Sequence, residues 1–417
     1  MSRLNERAHV AQAAGRHALA WLVAANAVGV GMAAVLVWPA LGLGLPALTY
    51  GRWVPLHLDW QLYGWCALPL VAVLWAWCAD VRHPQASAHA ATSVWLWSVA
   101  LALGGLSWLS GVSSGKPFLE WSGWARPLLP FAMTCLWTVL AGHVWWRRRQ
   151  LSAGGLGARI AVMACLAAVP TVLFWSMART VYPSVNPDSG GATGARLLAS
   201  TLGIVGIYGL LGEVLTVVRP SVRWLYWGYF VLSGFVFVRI EGGNSSHHEV
   251  LQIIGLGTLM GWVPLVGLYF DRTRLAPAAR SWWMAAAAWW GILVVSGFLG
   301  FLPGVSEQLK YTNALVGHAH LAMAGLVTSA NIAILVELGA VRAKSGFWLW
   351  QGSTAAMVAA LLSVGWHEAE APGELYFSDR FAQGAYLVRL AAGLGMFALS
   401  LVWFFSEGRD RAEEGGR

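Results

Sequence analysis

Most of this chain consists of apolar runs of about 20 residues, separated by short segments that carry charged residues, Gly or Pro. A run of that length forms an α-helix long enough to cross the hydrocarbon core of a bilayer. Of the 417 residues, 58% are hydrophobic and 11% are charged, which excludes a soluble domain. The sequence therefore predicts an all-α integral membrane protein with about twelve transmembrane helices. Their predicted ranges are 18–44, 54–79, 92–111, 127–146, 158–179, 194–217, 223–240, 249–270, 281–302, 315–337, 346–366 and 383–405.

The charges between these helices predict the orientation of the chain in the membrane. If the helices alternate in direction, most of the 27 Lys and Arg residues fall on the side of the membrane that holds both termini. The opposite side includes an acidic loop with Glu368, Glu370, Glu374 and Asp379. Because Lys and Arg accumulate on the cytoplasmic side, both termini are expected in the cytoplasm. The net charge of +8 suits an anionic inner leaflet and does not indicate nucleic-acid binding.

No repeat, linker or soluble segment interrupts this pattern, so we expect one membrane domain over residues 1–417, with short mobile termini at 1–15 and 407–417. The first apolar run is too long for a cleavable signal peptide and is expected to direct insertion. The four Cys residues fall inside predicted helices, which argues against disulfides and a thiolate metal site. There is no Cys-x-x-Cys-His sequence, so covalently attached haem is not expected. The 27 Trp residues are expected in interfacial belts and lipid-facing packing.

Three histidines lie just inside predicted membrane helices: His57 in the second, and His318 and His320 in the tenth. Both helices start on the outer face, so the three lie at similar depth. Intramembrane histidines usually indicate a metal, a haem or a proton path. His318 and His320 differ by about 200° around the helix axis and must face different ligands. One haem iron between His57 and His320, with a second haem on His318, satisfies all three. The simpler alternative is neutral histidines hydrogen-bonded between helices; a dinuclear zinc or copper site would need convergent ligands.

The residues around these histidines resemble a known family. The stretches Leu48-Thr-Tyr-Gly-Arg-Trp-Val-Pro-Leu-His57 and Tyr311-Thr-Asn-Ala-Leu-Val-Gly-His318-Ala-His320 are similar to helices 2 and 10 of subunit I of the cbb3-type, or C-family, haem-copper cytochrome c oxidases. The likeness extends over nearly the whole chain, with weaker matches at Gly191-Ala-Thr before helix 6 and Val388-Arg389 in helix 12. Twelve helices with cytoplasmic termini are likewise the architecture of that family.

The resemblance implies a site and its partners. His57 and His320 would be the axial ligands of a low-spin haem b, and His318 the proximal ligand of a high-spin haem. Arg52 and Arg389 are then candidates to neutralise haem propionates, although interfacial snorkelling would explain either arginine equally well. The implied cofactors are one or two b haems. The implied partners are a c-type cytochrome donor or subunit and other oxidase-like membrane subunits, and the implied location is the bacterial cytoplasmic membrane.

The sequence departs from that family at the copper site. The family holds copper with one histidine on helix 6 and an adjacent pair on helix 7, which also carries a redox-active tyrosine. The matching positions here are Gly203, Gly242 and Gly243, and the tyrosine falls near Val236. No histidine occurs between His143 and His247, so no shift in register restores the helix 6 ligand. We therefore expect that copper is lost, that four-electron oxygen reduction is impaired, and that electron transfer through haem b remains.

Two alternatives remain open. His247 and His248, in the loop after helix 7, could bind a displaced copper or iron together with Glu241 or Glu249, which would allow an active terminal oxidase or nitric oxide reductase. The simpler interpretation of this segment, which we favour, is a polar outer loop. Twelve helices also suggest a transporter, but the repeats and midplane helix breaks of transporters are not evident.

Overall fold

The computed structural model describes residues 3–44, 47, 49–80, 82–215, 219–270, 275–341, 346–371 and 379–415, with side-chain surroundings from 9 to 406. Leu48 and Glu374, which entered the sequence analysis, lie outside the described residues. The predicted all-α membrane fold is confirmed, with twelve long helices in the described chain. They are α1 (Arg3–Val37), α2 (Tyr50–Cys78), α3 (Ala86–Leu109), α4 (Leu128–Arg147), α5 (Ala153–Ser176), α6 (Gly194–Leu215), α7 (Pro220–Glu241), α8 (Val250–Tyr269), α9 (Pro277–Leu299), α10 (Asn313–Glu337), α11 (Phe347–Glu370) and α12 (Arg380–Gly415).

Eleven helices in the described part of the chain are long and apolar enough to cross a membrane. The remaining long helix, α7, matches the predicted seventh span but is not among the eleven. Its sequence combines Trp and Tyr residues with charged residues near both ends, which lowers its mean hydropathy. Trp and Tyr favour membrane interfaces, so the composition of α7 suits a helix with anchoring ends.

The helix ends follow local sequence signals. Helix α1 stops at Val37, earlier than predicted, because Pro39 starts a separate 3₁₀ turn, Pro39–Gly42. The Ser152 hydroxyl accepts a hydrogen bond from the Gly155 amide and so caps the start of α5. Helix α1 begins at Arg3 and α12 continues to Gly415, so helical structure extends into both segments that were expected to be mobile termini.

The chain divides into two compact units. The first contains Met1–Tyr182, Ile334–Gly346 and Gly393–Arg417; in it α1 packs against α2 and α3, α3 against α4, and α4 against α5. The second contains Pro183–Ala333 and Phe347–Ala392; in it α6 packs against α7 and α8, α8 against α9, α9 against α10, and α10 against α11. Helices that are neighbours in sequence are therefore neighbours in space within each unit. The expectation of a single membrane domain stays a prediction.

Many tryptophans lie in the protein interior, in addition to those expected at interfaces. Trp65, Trp108 and Trp121 are buried in the first unit, and Trp290 and Trp350 are buried in the second. Two of these indole N–H groups donate to backbone carbonyls: Trp108 to Glu120, and Trp290 to Trp262. Indole buries a large apolar area and needs one acceptor, so these residues fill the space between helices and also link them.

Candidate haem and metal sites

His57 lies on α2, seven residues, or about two turns, after its first residue, Tyr50. Its Nδ1 is 2.9 Å from the Ala25 carbonyl oxygen of α1. A carbonyl oxygen only accepts hydrogen bonds, so Nδ1 carries the proton and Nε2 is the lone-pair atom. The backbone of α1 comes close to the ring, since a Cβ at Gly29 would lie 2.7 Å from His57 Cε1. His57 therefore has a fixed ring orientation, with Nδ1 as the protonated nitrogen.

His320 has the same arrangement in the second unit. It also lies seven residues after the start of its helix, α10, which begins at Asn313. Its Nδ1 is 2.8 Å from the Val316 carbonyl oxygen in the preceding turn. By the same argument Nδ1 is the protonated nitrogen of His320.

Both helices also change geometry next to these histidines. A π-helical segment, Trp60–Cys66, follows His57 by three residues, and another, Leu321–Val327, directly follows His320. Such segments are rare within α-helices and are frequent at functional sites. The sequence analysis missed both segments, because the hydrophobic pattern does not distinguish a π turn from an α turn.

His318 faces α9. Its Nδ1 is 3.2 Å from the Ser296 hydroxyl oxygen, and that hydroxyl donates to the Leu293 carbonyl. The oxygen therefore accepts from Nδ1–H, and Nε2 is again the lone-pair atom. A Cβ at Gly297 would lie 3.5 Å from His318 Nε2, so a glycine adjoins the ligand atom. His318 contacts a neighbouring helix while His320 bonds to its own, which agrees with the predicted divergence of the two side chains.

The residues before His318 fix the start of α10. The Thr312 hydroxyl accepts from the Ala314 amide and caps the helix. The amide N–H of Asn313 donates to the Glu368 carboxylate at 2.7 Å, and its side chain donates to the Tyr386 hydroxyl at 2.8 Å. The Tyr-Thr-Asn sequence that carries part of the family resemblance thus positions the helix that bears both histidines.

The two candidate arginines differ in their surroundings. The Arg52 guanidinium donates to the Leu109 carbonyl at 2.7 Å, which holds it at the end of α3. Arg389 on α12 is only 6% exposed. Among the described residues, no carboxylate lies within ion-pair distance of Arg389. A snorkelling arginine places its head group in water, so this burial favours an anionic partner for Arg389.

The positions assigned on sequence grounds to the copper ligands and to the tyrosine of the resembled family carry neither histidine nor tyrosine. Gly203 and Val236 lie within α6 and α7, and Gly242 and Gly243 directly follow the end of α7. The nearest histidines along the chain, His247 and His248, lie in the loop between α7 and α8.

These two histidines belong to a cluster in the second unit, built from two loop segments and the short helix Val305–Leu309. His247 Nε2 lies 2.6 Å from Glu307 Oε1, and His248 Nε2 lies 3.2 Å from the same oxygen. The Asp188 carboxylate completes a group whose ligand atoms, with those of His247 and His248, lie within 4.8 Å of one another. His247 is fully buried, whereas the His248 side chain is 56% exposed. We call Asp188, His247, His248 and Glu307 the loop cluster.

The carboxylates of the loop cluster are not those expected. Glu241 forms an ion pair with Arg196 at 2.5 Å, and Glu249 accepts from the Asn244 side chain at 2.9 Å. Asp188 and Glu307 replace them, and both are distant from the histidines in sequence. Burial raises the pKa of Glu307, but hydrogen bonds from backbone amides, including that of Gly304, together with the contact to His247 outweigh that effect and hold the pKa below its usual value.

Contacts between the loops hold Asp188 in place. The Ser246 hydroxyl donates to the Asp188 carboxylate, and the Lys310 ammonium donates to the Ser189 hydroxyl at 2.7 Å. The Tyr311 hydroxyl lies 3.0 Å from the Gly190 carbonyl. Gly190 has a φ of +69°, and a Cβ there would meet the Tyr311 hydroxyl, so the turn requires glycine.

Another histidine group, in the first unit, was not among the predicted sites. The Asp80 amide donates to His143 Nδ1 at 3.2 Å, so His143 Nε2 is protonated and donates to His89 Nδ1 at 3.3 Å. His83 stacks on Trp146 with ring centroids 4.5 Å apart. In both hydrogen bonds of this group, from Asp80 to His143 and from His143 to His89, a donor therefore faces an acceptor.

Comparisons with known proteins agree with the resemblance that the histidine motifs suggest. No protein-family model matches the chain. The cbb3-type cytochrome c oxidase subunit CcoN1 of Stutzerimonas stutzeri is 23% identical over 93% of this chain and 92% of its own length. A cytochrome c oxidase subunit 1 homolog of Azorhizobium caulinodans is 23% identical over 80% of this chain, which spans 64% of that relative's length. Over most of its length the chain is therefore similar to subunit I proteins of cytochrome c oxidases. The predicted resemblance is confirmed at this level, and so is a multi-pass membrane protein, whereas the loss of copper stays a prediction.

Proposed function

We propose that this protein is a membrane haem b protein that transfers electrons in a respiratory complex of the cytochrome c oxidase type. His57 and His320 are the axial ligands of a low-spin haem, and His318 is the proximal ligand of a second haem. The observation that carries the proposal is the hydrogen bonding of these three rings. Each has Nδ1 as the donor, which leaves Nε2 as the atom with a lone pair for iron.

The residues present fit the haem groups that the resemblance implies. Bound haem b supplies reversible one-electron chemistry at its iron. His57 and His320 are assigned to one iron on sequence grounds, and each lies next to a π-helical segment in its own helix. Beside His318, Gly297 adds no side chain near Nε2. Ser296, Ala25 and Val316 fix the three ring orientations.

Arg52 and Arg389 are proposed to neutralise haem propionates. A guanidinium binds carboxylate groups with two parallel hydrogen bonds. The burial of Arg389, without a carboxylate in ion-pair distance among the described residues, supports an anionic partner of this kind. Arg52 keeps one hydrogen bond to Leu109, which would orient its remaining donors.

The proposed setting is the bacterial cytoplasmic membrane, with a c-type cytochrome as the electron donor and other oxidase-like membrane subunits as partners. The named relatives, which are oxidase subunits, support this setting. Copper is proposed to be absent from the family's position, because Gly203, Gly242 and Gly243 provide no ligands there. Four-electron oxygen reduction would then be badly impaired, whereas electron relay or binding of a small gas would not require the copper.

The first test is the haem content of the purified full-length protein, measured by pyridine haemochrome, with reduced-minus-oxidised spectra in the presence and absence of carbon monoxide. We expect b-type haem with a bis-histidine spectrum, and one haem that binds carbon monoxide. His57→Ala and His320→Ala should each abolish the bis-histidine spectrum, while His83→Ala, a matched control, should retain it. A preparation of folded protein without haem would reject the proposal and favour a transporter.

An active terminal oxidase or nitric oxide reductase is a second candidate, and the loop cluster is the observation that favours it. Such an enzyme would need a redox metal at His247 and His248. Oxygen or nitric oxide consumption by the purified protein, lost in His247→Ala with both haems retained, would support this function. Consumption that persists in that variant would reject the loop cluster as its reaction site.

A further inference from the structure

We infer that the loop cluster is a binding site for one divalent first-row transition cation, held by His247, His248, Glu307 and Asp188. The inference concerns the ligand set and the class of cation, and it does not depend on haem binding or on gas reduction. Two imidazoles with two carboxylates form a mixed nitrogen and oxygen donor set of the kind that Fe²⁺, Mn²⁺ and Zn²⁺ accept.

The protonation of His247 leads to this conclusion. The Asn186 side-chain oxygen accepts from the backbone amides of Asp188 at 3.0 Å and Ser189 at 3.3 Å, which fixes the orientation of the amide group. His247 Nδ1 lies 3.3 Å from the same oxygen and must therefore donate to it. In the neutral ring, Nε2 then has a lone pair and no proton.

That lone pair lies 2.6 Å from Glu307 Oε1, which is also an acceptor. Two acceptors at this distance require either a proton between them, carried by His247 or by Glu307, or a bound cation. A proton on His247 would make an imidazolium, although the side chain is fully buried, and a proton on Glu307 would neutralise a carboxylate that also accepts from the Gly304 amide. Either proton would also leave the second histidine and the second carboxylate without a role.

A divalent cation accounts for all four groups. Two neutral imidazoles and two carboxylates carry a formal charge of about −2, which one divalent cation balances. Ligands bonded at about 2.0 to 2.2 Å lie roughly 3.0 to 3.6 Å from one another. The 3.2 Å between His248 Nε2 and Glu307 Oε1 falls in this range, and the 2.6 Å contact of His247 would lengthen by a few tenths of an ångström. Lys310 lies nearby, but its ammonium donates to Ser189.

The surroundings of the cluster resemble the supporting shell of a metal site. Asn186 accepts from the ring nitrogen of His247 that does not face the cluster, as the outer partners of metal-bound histidines do. Asp188 accepts from Ser246, and the Asp188 loop is tied to the segment that carries Glu307 through Lys310 and Tyr311. The three segments that carry Asp188, the two histidines and Glu307 are thus held together.

The test is zinc binding by the purified full-length protein in detergent. After removal of loosely bound metal, the protein is dialysed against zinc buffered at a series of free concentrations, and bound zinc is measured by elemental analysis. The variants are Glu307→Gln, which keeps the size of the side chain, and His248→Gln, which alters an exposed residue. The matched controls are Glu241→Gln, whose carboxylate pairs with Arg196 instead, and His83→Ala.

We expect one zinc per chain in the parent protein and both controls, and affinity at least about ten-fold weaker in Glu307→Gln and His248→Gln. Haem content and size-exclusion behaviour, measured on the same samples, report whether a variant is folded. If Glu307→Gln misfolds, the exposed His248 decides the result. Absence of zinc from the folded parent protein, or equal affinity in the two variants, overturns the inference. A protein that binds zinc but no haem would reject the proposed function and leave this site standing.

Discussion

The His89–His143 pair of the first unit and the His247–Glu307 pair of the second both join a buried histidine to another ionisable side chain, yet their hydrogen bonding differs. In the first, the Asp80 amide donates to His143 and His143 donates to His89, so donors and acceptors alternate. In the second, His247 Nδ1 donates to the Asn186 side-chain oxygen, and His247 Nε2 faces the Glu307 carboxylate, a second acceptor. The balance of donors and acceptors, rather than the presence of histidine, indicates where a cation is needed.

The same criterion applies to the membrane histidines, whose Nδ1 atoms donate to Ala25, Val316 and Ser296. The largest effect is expected when a histidine that is proposed in this way as a haem ligand is removed. His318→Ala should abolish the carbon monoxide difference spectrum while the bis-histidine spectrum remains, because His320 faces another direction. Carbon monoxide spectroscopy on the reduced protein checks this. If both spectra disappear together in folded protein, the two histidines do not serve separate haems.

A smaller effect is expected from the outer partner of the loop cluster. Asn186→Ala removes the acceptor that fixes the His247 ring but leaves all four ligands in place. Zinc affinity should fall by about 10- to 100-fold, with haem content unchanged. Zinc dialysis of this variant beside His89→Ala, which should bind zinc as the parent does, measures the difference. An unchanged affinity would show that the His247 tautomer does not control the site.

The balanced pair in the first unit should affect stability alone. His89→Ala leaves the buried Nε2–H of His143 without its acceptor, which should lower the free energy of unfolding by about 1 to 3 kcal/mol. Thermal unfolding in detergent measures this change. Loss of bound zinc or haem from the folded variant would contradict the distinction between the two histidine pairs.

The smallest effect is expected at Ser296. Ser296→Ala removes one neutral hydrogen bond to His318 and should weaken retention of the carbon monoxide-binding haem by about 1 kcal/mol or less. Haem loss to an acceptor protein, followed by absorbance, measures it. Ser296→Thr, which keeps a hydroxyl, is the control. Complete loss of that haem in the alanine variant would mean that the hydroxyl does more than orient the ring.

The sequence predicted the helices well, because each apolar run of sufficient length must form a helix to satisfy its backbone in lipid. Boundaries were less certain: α1 ends at Val37, seven residues before its predicted end and two before Pro39, since local turn chemistry overrides hydropathy. The role of buried tryptophan was underestimated. An interior Trp and a lipid-facing Trp look alike in sequence, because only the packing of helices decides which face a given residue meets.

The sequence alone determined the membrane fold, the family resemblance and which histidines are candidate ligands, because these follow from the length of apolar runs and from local motifs. It did not determine their partners. The carboxylates beside His247 and His248 come from Asp188 and Glu307. The acidic residues that are nearer in sequence, Glu241 and Glu249, bond to Arg196 and Asn244 instead. Only tertiary structure brings these three distant segments together, because their side-chain contacts depend on how helices far apart in the chain pack.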